Sequence, residues 1–199
     1  MKSNICRIDK GTKDLAAILS ESEKVAVYNG LDHKETMQLR LLCEEIDGML
    51  PNIMDDFVGE LWFDFEDGVC RVNASLTLEE MTANKKEELL SIAKDKKNAA
   101  ASGVVGKIRS FIEDFFLDEV NQIALTVTPA HYPLAAGYSD GVDYAYLWSL
   151  SQYRDLVKQE AQEEDWDELE KSVIASIADD VTVSVKGKRV DIVVIKKFA

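Results

Sequence analysis

Apolar and polar side chains alternate most clearly over GELWFDFEDGVCRVNASL, residues 59–76. Leu61, Phe63 and Phe65 alternate with Trp62 and Asp64; after Asp67-Gly68, Cys70, Val72 and Ala74 alternate with Val69, Arg71 and Asn73. Period-two patterning on both sides of an Asp-Gly dipeptide predicts a β-hairpin with a two-residue turn. A second hairpin is predicted in VTVSVKGKRVDIVVIKKF, 181–198, turning near Lys186-Gly187-Lys188. Its run Val190, Ile192, Val193, Val194, Ile195 reads as a buried strand. Elsewhere the spacing is helical. Leu39, Leu42, Ile46, Met49 and Leu50 predict an amphipathic helix over 31–50, weakened by Gly48 and expected to end or kink at Pro51. After Gly106, the stripe Ile108, Phe111, Ile112, Phe115, Phe116 predicts another.

Weaker patterns fill in the order. EKVAVYNG, 23–30, is a short β-leaning run stopped by Gly30 and reads as a strand. Residues 78–97 read as a highly charged helix. The stretch 121–142, with two prolines and two glycines, reads as a strand at 122–127 followed by a long loop. DYAYLWSLSQYRDLVKQEAQ and DWDELEKSVIASIA read as two further helices. The sum is an α/β (α+β) two-layer sandwich in a single domain over 1–199: a mixed, mostly antiparallel sheet covered on one face by helices.

Composition narrows the class. A chain of 199 residues with 46% hydrophobic and 30% charged residues supports one sizeable core. It has no uninterrupted apolar run of about 18 residues and no secretory signal pattern, so a membrane partner is not expected. Cys6, Cys43 and Cys70 are odd in number and widely spaced, which fits free thiols in a reducing, cytoplasmic setting. His33 and His131 lie far apart and suggest no zinc site. The net charge of −14 disfavours nucleic acid.

The helix RLLCEEIDGMLPNIM, 40–54, followed by GELWFDF-EDG-VCRVNASL and closing on VIKKF, 194–198, resembles the histidine-kinase-like (GHKL) ATPases. Within them it looks most like the anti-sigma-factor serine kinases. Residues 23–120 and 172–198 match in order, and 121–171 would be a helical insertion. The resemblance implies ATP or ADP with Mg2+ as cofactor, and a sigma factor or its antagonist as partner; a homodimer is a further option.

In that family a helix carries a glutamate that polarises the attacking water or orients a serine hydroxyl, and an asparagine one turn later that holds Mg2+. Matching lengths puts Glu45 at the glutamate position and Met49 at the asparagine position. A thioether is a poor ligand for a hard cation. Starting from Glu44 gives Gly48, and Asn52 lies beyond Pro51. The adenine-binding Asp-x-Gly-x-Gly loop is missing, with Asn73 the residue nearest to the aspartate position. Gly103 and Gly106 open a helix whose exposed N–H groups would favour a phosphate, with Lys107 adding charge. The implied site is catalytic Glu45, with Asn73, Gly103, Gly106 and Lys107 on the nucleotide.

Each residue also has a plainer reading. Glu45 fits the margin of an amphipathic helix or a buried relic paired with a basic side chain, Asn73 a turn cap, and Gly103 and Gly106 a structural loop or helix start. Three functions compete: a degenerate domain kept as a cytoplasmic protein-binding regulator, an active serine kinase or ATPase, and a small-molecule sensor using the former nucleotide cleft beside Met49.

Overall fold

The computed structural model describes residues 1–9, 15–54, 56–78, 103–121, 146–160, 169 and 171–198. In chain order these form β1 (Cys6–Asp9), α1 (Leu15–Tyr28), α2 (His33–Ile53), β2 (Phe57–Glu66), β3 (Val69–Leu78), α3 (Gly103–Asn121), β4 (Tyr146–Ser149), α4 (Leu150–Glu160), α5 (Val173–Ile177), β5 (Asp180–Lys186) and β6 (Arg189–Lys197). Apart from Leu78, which ends β3, the expected helix at 78–97 lies outside the described residues, as does the expected strand at 122–127.

The strands make one six-stranded sheet in the order β1-β2-β3-β6-β5-β4. Every pairing among the described residues is antiparallel, so the expected mixed sheet is corrected to an antiparallel one. Both predicted hairpins form. Asp67 (φ 50°) and Gly68 (φ 75°) turn the first, the two positive φ values that suit the twist of a two-residue hairpin. Cross-strand partners Leu61–Ala74, Phe63–Val72 and Phe65–Cys70 put the apolar set on one face. Val181, Val183, Val185, Val190, Ile192 and Val194 extend that face across the second hairpin, all buried. The alternate residues, among them Trp62, Asp64, Arg71, Asn73 and Val193, are half-buried on the other face. One face is thus helix-covered, as period-two patterning requires when helices pack on one side.

On the covered face α2 supplies Leu39, Leu42, Cys43, Ile46, Met49, Leu50 and Ile53 to the core. Asp32 and Glu35 start it with a reciprocal capping box. Pro51 does not end it at once: the helix runs on to Ile53, and the Met54 amide still bonds to the Leu50 carbonyl at 3.0 Å. At Pro51 the helix forgoes the bond that an N–H there would have made to the Asp47 carbonyl. Phe198, in the VIKKF tail, stacks on Phe65 with ring centroids 6.2 Å apart.

Three other expectations are corrected. Residues 23–28 belong to helix α1, whose buried face is Ile18, Glu21, Ser22, Val25 and Ala26, and Asn29 and Gly30 form the turn after it. This spacing of three to four residues begins upstream of the β-leaning window. The stretch 143–162 is not one helix: β4 pairs with β5 at the sheet edge before α4 begins. Part of 121–171 is therefore integral to the sheet and not an appended helical insertion. The helix expected over 165–178 is interrupted at Ser172, which caps the short α5; Leu169 and Lys171 before it are helical, and 165–168 and 170 lie outside the described residues. The edge strand β1 was not anticipated; only four residues long, it carries too little alternation to register.

Candidate functional site

The two flanks of α2 face different neighbours. On one, Thr36, Arg40, Cys43 and Asp47 recur at helical spacing. There the Arg40 guanidinium pairs with Glu23 of α1 at 2.9 Å, and the Ser22 hydroxyl lies beside the Cys43 thiol. On the other flank Gln38, Glu45 and Asn52 recur every seven residues. The Asn52 carbonyl accepts a hydrogen bond from Arg109 Nη1 of α3 at 3.3 Å. α1 thus lies along one flank of α2 and α3 reaches its C-terminal end, while Glu45 lies on the flank away from Arg40 and α1.

The two adjacent acids are separated by their roles. Glu44 is exposed and accepts from Arg40 Nε at 3.3 Å, a surface pair worth little. Glu45 is half-buried and has no hydrogen bond or ion pair among the described residues. A carboxylate so placed is free to accept from a ligand donor or a water. Met49, at the family's magnesium position, is buried in the core at 3% exposure, and Gly48 is exposed and has no side chain. Asn52 stays on the helix, but its amide donates back to the Gly48 carbonyl at 2.8 Å. It sits two turns beyond Glu45, about 10 Å along the axis, too far to share one cation with it. Among the described residues no three His, Cys, Asp or Glu side chains group as metal ligands.

Gly103 opens α3 with φ +75°, and a Cβ there would meet nothing within 4 Å. The left-handed backbone, not crowding, is what calls for glycine at this point. Gly106 is buried in the first turn. Lys107 lies with its ammonium 5.5 Å from the Tyr153 ring centroid, directing its charge toward α4. Arg109, not singled out from the sequence, pairs with Glu113 Oε1 at 2.7 Å and joins α3 to α2. Its i, i+4 spacing to Glu113 is the one sequence signal that marks it.

Asn73 is not brought to this group. It stands opposite Trp62 on the face of the sheet away from the helices. Its amide donates to Asp64 Oδ2 at 3.1 Å, and Trp62 Nε1 donates to the same oxygen at 2.9 Å. The sheet itself separates Asn73 from Glu45, so one nucleotide cannot touch both.

No family model matches the chain, and neither curated proteins nor solved structures yield a match. The arrangement therefore stands on its own geometry. The buried thiols are not reactive groups: burial raises the Cys43 pKa strongly and pushes Cys70 up to about 12.

Proposed function

We propose that this chain is a degenerate histidine-kinase-like ATPase domain acting as a regulatory protein-binding module, of the anti-sigma-factor type. One observation carries the reading: Glu45 lies half-buried on α2 with no partner among the described residues, while the magnesium position one turn on is the core residue Met49. A scaffold suited to holding a nucleotide retains the carboxylate and lacks the metal ligand. Phosphoryl transfer relies on metal-held phosphates, so this set of side chains does not support efficient transfer. Asn73, on the far face, leaves the adenine without the contact the family uses.

A second reading, a working serine kinase or ATPase, is favoured by the left-handed Gly103 opening α3 and by the free Glu45 carboxylate. Calorimetric titration of the full chain with Mg-ATP and Mg-ADP separates the two. The module reading expects no heat beyond dilution. Micromolar binding that disappears in Glu45→Ala would establish the kinase reading in its place. The small-molecule sensor loses its motive, because Met49 is accounted for by its place in the continuous core.

A further inference from the structure

The edge of the sheet points to a partner's shape. β2 is ten residues long, and its outer edge is covered only by the chain's own residues 1–9 among the described ones. β1 pairs regularly, Cys6 with Leu61 through Asp9 with Val58. Further along, Lys2 bridges Asp64, the Phe65 amide donates to the Met1 carbonyl at 2.8 Å, and the Ser3 amide donates to the Phe63 carbonyl at 2.9 Å. From Lys2 to Cys6 is four residues, whereas from Asp64 to Leu61 is three, so the covering segment bulges by one residue around Asn4 and Ile5.

The bulge makes the cover imperfect. The Asn4 amide turns away from β2 and donates to Glu21 Oε1 of α1 at 3.1 Å. The Phe63 amide is met by the Ser3 hydroxyl instead of a carbonyl. Ile5 is left 52% exposed. Glu21 acts as the latch: 7% exposed, it accepts from the Asn4 amide and side chain and from Lys24 Nζ at 2.9 Å.

The edge also has a charge code. On the face that no described helix covers, β2 presents Glu60, Asp64 and Glu66 around Trp62. The covering segment answers with Arg7 opposite Glu60, Lys2 opposite Asp64, and the Lys2 ammonium 5.0 Å from the Trp62 ring centroid. Toward the core it presents Cys6 and Ile8, the latter seated opposite the side-chain-free Gly59. We infer that the β2 edge is a docking site for an extended segment of a protein partner that alternates apolar with basic side chains, and that residues 1–9 occupy this site as a displaceable cover. A segment without the bulge would complete the ladder that the cover leaves broken, and the net charge of −14 would steer it in. The inference deepens the protein-binding reading above and rests on it.

The test uses the full chain and Glu21→Ala, with a labelled synthetic peptide of residues 1–9 as probe, under reducing conditions. A control peptide carries glutamate at the positions of Lys2 and Arg7. Hydrogen exchange over 57–66 reports whether the cover has loosened, and fluorescence anisotropy reports binding. Expected are faster exchange in Glu21→Ala, probe binding about tenfold tighter than to the parent chain, and no binding of the control. Should Glu21→Ala unfold globally, the surface pair Lys2→Glu with Arg7→Glu loosens the cover through charge alone. An opened edge that fails to bind the probe overturns the proposal, as does equal binding of the control. Concentration-dependent doubling of mass in the variant overturns it too, because the occupant is then a second copy. The nucleotide titration is independent of all these outcomes: Mg-ATP binding would remove the module reading while the peptide result is read separately.

Discussion

Glu21 is the most informative single residue outside the α2–α3 contact. A glutamate at 7% exposure must be compensated, and here Lys24 and both nitrogens of Asn4 do so. The Lys24 hydrogen bond, aided by Asn4, holds its pKa below the ordinary value against the opposing effect of burial. A depressed folded-state pKa gives stability that is present above the unfolded value, about 4.3, and is lost as the pH falls through the folded one. Urea unfolding across pH should show Glu21→Gln less stable than the parent at neutral pH, with the gap closing in acid below about pH 4. An unchanged gap down to full protonation would assign the loss to packing. Residue-level chemistry of this kind was only partly legible in the sequence. The adjacent pair Glu44 and Glu45 drew notice, but which of them meets solvent depends on Arg40 and its bridge to α1. Glu21 drew none, because its partner Asn4 is 17 positions away.

At the scale of elements, two glycines divide by what surrounds them. Gly48 is exposed within α2, and a Cβ there would meet nothing within 4 Å. Gly48→Ala should stabilise the fold by about 0.5–1 kcal/mol, since alanine spares backbone entropy in a helix. Gly59 in β2 is the opposite case: a Cβ would stand 2.5 Å from the Ser75 carbonyl oxygen. Gly59→Ala should cost about 2 kcal/mol or more, because the obstacle is backbone and cannot swing aside. Thermal denaturation of the two variants checks both signs. The hairpins and α2 were legible because their patterns are long and their turns carry Asp67-Gly68 and Gly187. The error at 23–30 arose where β-branched Val25 and Val27 set a local preference that the longer period of α1 overrules. β4 was hidden because a four-residue edge strand joins directly to α4, and Ser151 is held by Asp180 of β5 through a contact 29 positions away.

Across the whole molecule, the halves of the chain are joined at the centre of the sheet. β3 pairs with β6 from Val69–Lys197 to Thr77–Arg189. Trp62 in β2 and Trp148 in β4 lie on opposite wings of that junction. If the sheet unfolds as one unit, a variant whose single tryptophan is Trp62, and one whose single tryptophan is Trp148, should each show the same urea midpoint by fluorescence as by far-ultraviolet circular dichroism. Different midpoints would mean that the wings melt separately. The family resemblance concerns the same scale. Local patterns fix which segments are strands, whereas a ligand cleft depends on which face each residue joins, and that is how Asn73 parts company with Glu45.

The central position of β6 also governs how the protein can be made. A ribosome that has delivered everything up to residue 188 has produced two open wings and a bare ten-residue border on β3. Until 189–197 emerge and slot between β3 and β5, that nascent chain has two sticky rims where the finished sheet has an interior.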